Sequence, residues 1–143
     1  MRTSLIALIL MVFTTNDCTK PDQVPVTSMS YETFTRGSST IYRISPDSLK
    51  IISSGLNSSQ NSIAITKAQW DVLLEKLQGV EVSKINQLKA DSEERARDAA
   101  AHAILSVRKN DTIYKTNTFD HGNAPEPIQP LVEAILRLAE NVE

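Results

Sequence analysis

From Thr27 onward apolar and polar residues alternate. Met29, Tyr31 and Thr33 fall on one side, and Ser28, Ser30, Glu32 and Phe34 on the other. This period of two predicts a half-buried strand. Arg36-Gly37-Ser38-Ser39 then reads as a turn, and residues 40–45 (TIYRIS) as a second strand rich in β-branched and aromatic side chains. Ser45-Pro46-Asp47-Ser48 predicts another turn, because proline presets φ and aspartate hydrogen-bonds locally; residues 49–53 follow as a third strand. Connections this short favour an antiparallel meander. Residues 53–62 (SSGLNSSQNS) show no period and read as a polar surface loop, with a carbohydrate-binding rim of serines and asparagines as the alternative; a short strand follows at 62–66.

The period then changes to that of a helix. Thr66-Lys67-Ala68-Gln69 is a capping box, and Trp70, Leu73, Leu74 and Leu77 form one apolar stripe that Gly79 is placed to end. At that spacing Trp70 is a core residue rather than a ligand platform. Ser83 is a candidate cap for a further short turn carrying Ile85 and Leu88. Residues 91–98 combine good helix formers with charge and predict a charged loop or short helical turn. From Ala100, alternation returns, with Ala101, Ala103, Leu105 and Val107 on one side, and the turn at 109–111 leads into a hairpin partner at 112–118. Pro125, Pro127 and Pro130 approach a last helix whose stripe is Ile128, Leu131, Val132, Ile135, Leu138, Ala139 and Val142. The expected fold class is α+β: an antiparallel sheet, made of a meander plus a C-terminal hairpin, with two main helices packed on one face.

The first 17 residues have a different character. Arg2 precedes an unbroken apolar run at 5–13, which is about half the ~20 residues that a membrane-spanning helix needs and fits an export signal. Cys18, the only cysteine, follows it and has no internal disulfide partner. This arrangement resembles bacterial lipoprotein signals, which implies that Cys18 becomes the lipidated first residue. Thr15, Asn16 and Asp17 stand where such signals place aliphatic and small residues, so ordinary cleavage and an uncleaved anchor stay open as alternatives. The expected organisation is a signal peptide at 1–17, a tether at 18–26 containing Pro21 and Pro25, and a single domain at 27–143.

Composition narrows the class of partner. An apolar content of 41% with 22% charged residues suits one globular domain. A formal charge of −2, with 15 basic residues scattered among 17 acidic ones, offers no basic stripe for nucleic acid. Nucleophile motifs and phosphate loops are absent from the sequence, and His102 and His121 are too few to build a zinc site, so neither metal nor cofactor is expected.

The residual chemistry gathers at the elbow Phe119-Asp120-His121-Gly122-Asn123, between hairpin and last helix. Consecutive strand residues point to opposite faces, so Asp120 and His121 make no dyad unless the chain is already turning. Two readings follow. In one, Asp120 and Asn123 satisfy loop backbone groups and His121 is a surface or hydrogen-bonded residue. In the other, His121 and Asp120 join Asp98, Arg95 and Arg97 in a polar patch for a partner or ligand, sensitive to pH through the histidine.

The start ending in Cys18, the helix TKAQWDVLLEKL, the segment around Arg95, Arg97 and Asp98-Ala99-Ala100, and the elbow FDHGNAP together resemble small uncharacterised bacterial envelope lipoproteins. The resemblance implies export to the cell envelope and a membrane anchor or periplasmic location, and it carries no activity. The expected role is therefore non-enzymatic binding of an envelope protein or ligand. An inhibitor of an extracytoplasmic hydrolase, or a small hydrolase with His121 as general base, stand as alternatives.

Overall fold

The computed structural model describes residues 25–140. The export segment, Cys18, nearly all of the tether, and Val142 of the last stripe lie outside the described residues. The meander comprises β1 (Val26–Phe34), β2 (Ser39–Ile44), β3 (Ser48–Ser54) and β4 (Ser59–Ala64). After helix α1 (Lys67–Leu77) come β5 (His102–Lys109), β6 (Thr112–Lys115) and the two-residue β7 (Phe119–Asp120). Helix α2 (Gln129–Glu140) closes the described chain. The strand order is β4-β3-β2-β1-β5-β6, all antiparallel, with β7 pairing the start of β5. The meander and the C-terminal hairpin thus join through β1 and β5, in register from Met29 opposite Val107 to Phe34 opposite His102.

Alternation decides which face is buried. Met29, Tyr31, Ile44, Leu49, Ala103, Leu105, Val107 and Phe119 point to one side of the sheet and are almost wholly buried. Trp70, Leu73 and Leu77 of α1 and Leu131, Val132 and Ile135 of α2 complete the same core, so both helices cover that face. Among the described residues neither α-helix lies against the opposite, outer face, which carries only the 3-10 turn at Glu94–Arg97 over its β7 end. The capping box forms as its residues predict: Gln69 N–H donates to Thr66 Oγ1 at 3.2 Å and Thr66 N–H to Gln69 Oε1 at 2.7 Å. A 3-10 turn at Val82–Gln87 carries Val82 and Ile85 into the core, but Ser83 does not cap it; its hydroxyl leans toward Glu81 instead.

Two boundaries differ from the sequence reading. The stretch 53–62 is not one loop. Only residues 55–58 turn, and β4 pairs in full with β3, Ile52 opposite Gln60 and Ile51 opposite Asn61. A polar strand is stable at a sheet edge because the backbone ladder holds it and its side chains stay in water. Gly55 permits the tight turn, with φ of +125° and a position where a Cβ would stand 2.8 Å from the carbonyl oxygen of Gly37. The second difference is in the hairpin, where β6 ends at Lys115 rather than near 118. Thr116 replaces the ladder with its side chain: Oγ1 accepts from Leu105 N–H at 3.1 Å while its own N–H donates to Leu105 O at 2.9 Å. Asn117 then leaves the sheet to donate to Asn86 O.

Candidate functional site

At the elbow two adjacent residues separate to opposite sides of the sheet. Asp120 pairs with His102 and Phe119 with Ala103, so Phe119 points into the core and Asp120 outward. There the segment 91–98 covers Asp120, leaving it 2% exposed. Its carboxylate accepts from the Ser92 hydroxyl, from Glu94 N–H at 2.7 Å, and from Arg95 N–H and Arg95 Nη1, each at 3.0 Å. Burial alone would raise the carboxyl pKa. The bonds from Ser92, Arg95 and Glu94 outweigh burial and hold it well below the usual carboxylate range. Arg95 also donates to Ser92 O at 2.8 Å, and Asn123 Nδ2 donates to the Ser92 hydroxyl at 2.8 Å. Asp120 therefore caps the free N–H groups opening the 3-10 turn at Glu94–Arg97, work that a helix N-terminus asks of an acid.

His121 faces the helix-covered side. Its backbone N–H donates to Ala101 O at 2.8 Å, and its ring Nδ1 lies 2.9 Å from the hydroxyl of Tyr31. Tyr31 is fully buried, stacked near Tyr42 and Phe119 with ring centroids 6.1 and 6.2 Å away, and tilted against the His121 ring at 6.0 Å. Burial, and to a lesser degree Tyr42, raise the Tyr31 pKa far above that of a free phenol. Tyr31 thus keeps its proton; its hydroxyl and Nδ1 share one hydrogen bond whose donor follows the histidine tautomer, which satisfies the buried hydroxyl and leaves His121 Nε2 for another partner.

His121 lines a groove of about 490 Å³ between the sheet and α2, with Tyr42, Thr40, Ser53, Ser59 and Asn61 on its sheet wall and Leu136, Ala139 and Glu140 on its helix wall. Thr40 and Ser53 hydroxyls meet at 3.3 Å across β2 and β3. The groove combines an aromatic edge, an apolar wall ending in the Glu140 carboxylate, and a line of small hydroxyl and amide groups, which suits a ligand with both polar edges and apolar patches. Among the described residues no hydrogen bond or ion pair joins His121 to a carboxylate, and no cluster of His, Cys, Asp and Glu could hold a metal.

No protein-family model and no curated protein sequence matches the chain.

Of the five residues grouped in the predicted patch, the structure brings together Asp120 and Arg95. Asp98 lies past the 3-10 turn with φ of +57° and pairs instead with Arg36, at 3.2 Å and largely in solvent. Arg97 is exposed, and His121 sits across the sheet. Cys18 lies outside the described residues. The residues that sequence reasoning missed are Ser92, Tyr31 and the groove's sheet wall. Tyr31 was legible as an inward-facing position, but nothing local marks its hydroxyl as the partner of a histidine 90 positions away. Ser59 and Asn61 were hidden inside a stretch read as loop.

Proposed function

We propose that the chain is an exported binding domain of the bacterial cell envelope, held to a membrane through a lipid on Cys18, whose partner or ligand engages the groove beside His121. The observation that carries this reading is the division of labour at the elbow. Asp120 is consumed in holding the segment 91–98, whereas His121 is oriented by Tyr31 and left with an open ring nitrogen at a polar groove. An oriented histidine without a carboxylate partner recognises a group more readily than it abstracts a proton. The role is therefore binding rather than hydrolysis. Cross-linking in native envelopes followed by mass spectrometry tests it, comparing the native chain with His121→Ala/Asn61→Ala and with Cys18→Ser. The groove variant should lose a reproducible set of adducts while remaining folded and membrane-associated. An unchanged set of adducts in that variant would remove the groove from the mechanism.

A second reading has its own support. Leu56 at the tip of the β3–β4 turn is fully exposed, held out by the tight turn at Gly55. An apolar side chain on a braced turn is what a wedge-type inhibitor of an extracytoplasmic hydrolase would present. Leu56→Asp would abolish inhibition of such a hydrolase without touching the groove.

A further inference from the structure

Among the described residues no α-helix covers the outer face of the sheet over β1 to β4. Its outward positions on β1 and β2, Ser28, Ser30, Glu32, Phe34, Ser39, Ile41 and Arg43, are all at least partly exposed. Strand register arranges them in rows. One row crosses the whole sheet as Ser62, Lys50, Arg43, Ser30, Ser106 and Lys115. The adjacent row holds Ile52, Ile41, Glu32 and Ile104, and Arg108 lies beside Ser28. On the strands of this face four basic side chains thus meet two acids, Glu32 and Asp120, of which Asp120 is already paired with Arg95, in a chain whose formal charge is −2. Acids also stand at its rim: Asp47, in a turn, is engaged by Ser45 and Ser48 and feels the charge of Lys50, Asp111 lies in the β5–β6 turn, and in the segment 91–98 Asp98 pairs with Arg36 and Glu93 approaches Arg95. None of Arg43, Lys50, Arg108 and Lys115 forms an ion pair within the described residues.

Two of these cations are direct cross-strand neighbours, Arg43 opposite Lys50. Like charges so placed work against the fold. An anionic partner would turn that cost into attraction.

We infer that this outer face docks on anionic lipid headgroups, with Lys50, Arg43, Lys115 and Arg108 as the contact. The inference deepens the envelope location proposed above and is independent of the groove. Charge favours this occupant over a second copy of the chain, since two such faces would repel. The path of the chain favours it too. The tether enters the sheet at Val26, opposite Lys109 and two residues before the Ser28–Arg108 pair, so the basic side chains cluster at the end from which Cys18 departs. The eight-residue step from Cys18 to Val26 reaches at most about 28 Å, which keeps this end close to any bilayer holding Cys18. The row from Lys50 to Lys115 crosses four strand spacings, about 19 Å, a length that meets several headgroups at once. The Ile41, Ile52 and Ile104 side chains beside it supply apolar contact. Docked this way, the His121 groove, on the other side of the sheet, faces away from the bilayer.

Sedimentation of the full chain with vesicles tests the inference, using equal parts phosphatidylglycerol and phosphatidylcholine against phosphatidylcholine alone. Any contribution of the apolar run at 5–13 is common to both vesicles, so their difference isolates the charge term. The full chain should prefer the anionic vesicles, with the preference shrinking as salt is added. A basic residue near an anionic surface is worth about fivefold in partitioning, so the triple variant Arg43→Glu/Lys50→Glu/Lys115→Glu should lose about 100-fold. Lys67→Glu/Lys76→Glu/Lys84→Glu, reversing equal charge on the helix side, should lose far less. All three outer-face positions are exposed, so folding should survive; if the triple variant does not fold, Lys50→Glu alone must lose about fivefold. Equal loss in the two triple variants, or no loss in the outer-face one, overturns the inference. So does retention by an acidic soluble polymer with no preference for anionic vesicles. Failure here would leave the groove test untouched, because that test reads adducts at His121.

Discussion

Replacing Asp120 with asparagine keeps its shape and removes its charge. One side-chain oxygen can still accept from Arg95 N–H, but an amide nitrogen now meets the Glu94 N–H, and the Arg95 guanidinium, 17% exposed, loses its buried counter-charge and keeps only the exposed Glu93 at 4.0 Å. A buried N–H left unpaired costs about 1–3 kcal/mol, and breaking a buried ion pair by removing one partner costs about 3–5 kcal/mol. The two overlap, because Ser92 can rotate to accept and the segment 91–98 can relax toward water. The expected net loss is about 3 kcal/mol, which lowers the melting temperature of a domain this size by about 12 °C. The pH profile provides a second signature. The folded-state carboxyl is held below its unfolded value near 3.9, so its stabilisation is complete above the unfolded pKa and is lost as pH falls toward the folded one. The native chain should therefore weaken steadily below about pH 5, and Asp120→Asn should show a flatter acid limb. Thermal melts followed by far-UV circular dichroism between neutral and acid pH measure both. A loss below about 1 kcal/mol, or an acid limb as steep as the native one, would refute the view that Asp120 anchors the 91–98 segment.

Three further outcomes are expected. Tyr31→Phe should cost about 1 kcal/mol by removing the bond to His121, read by denaturant titration. In the native chain Tyr31 holds its proton when folded and releases it near pH 10 when unfolded, so stability should be intact below about pH 10 and fall above it, a fall that Tyr31→Phe reduces. Thr66→Ala should lose about 1 kcal/mol with the capping box, visible in the same titration as a shift of midpoint at constant slope. Lys50→Glu should raise stability by about 0.5 kcal/mol, since it converts a like-charge pair with Arg43 into an attractive one, while weakening adsorption to anionic vesicles.

The class of fold could be read from the chain because its two periods are clean. Met29 and Tyr31 alternate with serines, Trp70 and Leu73 recur at helical spacing, and Thr66 with Gln69 states where a helix begins. The α+β reading with two helices on one antiparallel sheet holds for that reason. What failed were features decided by partners distant in sequence. The first half of β4, residues 59–61, carries no apolar residue, so its strand character comes from the β3 backbone rather than from its own side chains, whereas residues 62–64 fall within the strand read at 62–66. Thr116 ends β6 by offering a side-chain acceptor where threonine would ordinarily continue a strand. At the elbow, the alternation rule correctly separated Asp120 from His121, but which of the two would meet Arg95 depended on how the 91–98 segment folds back across the outer face. Tyr31, 90 positions before His121, was available as a core residue and not as a hydrogen-bond partner.

Asn61 and Ser62 are neighbours on β4 that point to opposite sides, Asn61 into the groove and Ser62 into the basic row of the outer face. A nitroxide placed at either position of the full chain carrying Cys18→Ser, in the presence of phosphatidylglycerol vesicles, reports which side meets the bilayer. A two-sided domain predicts that the label at 62 becomes shielded from a water-soluble relaxant and gains collisions with dissolved oxygen, while the label at 61 is unchanged. Shielding at 61 in place of 62, or at neither, would contradict it.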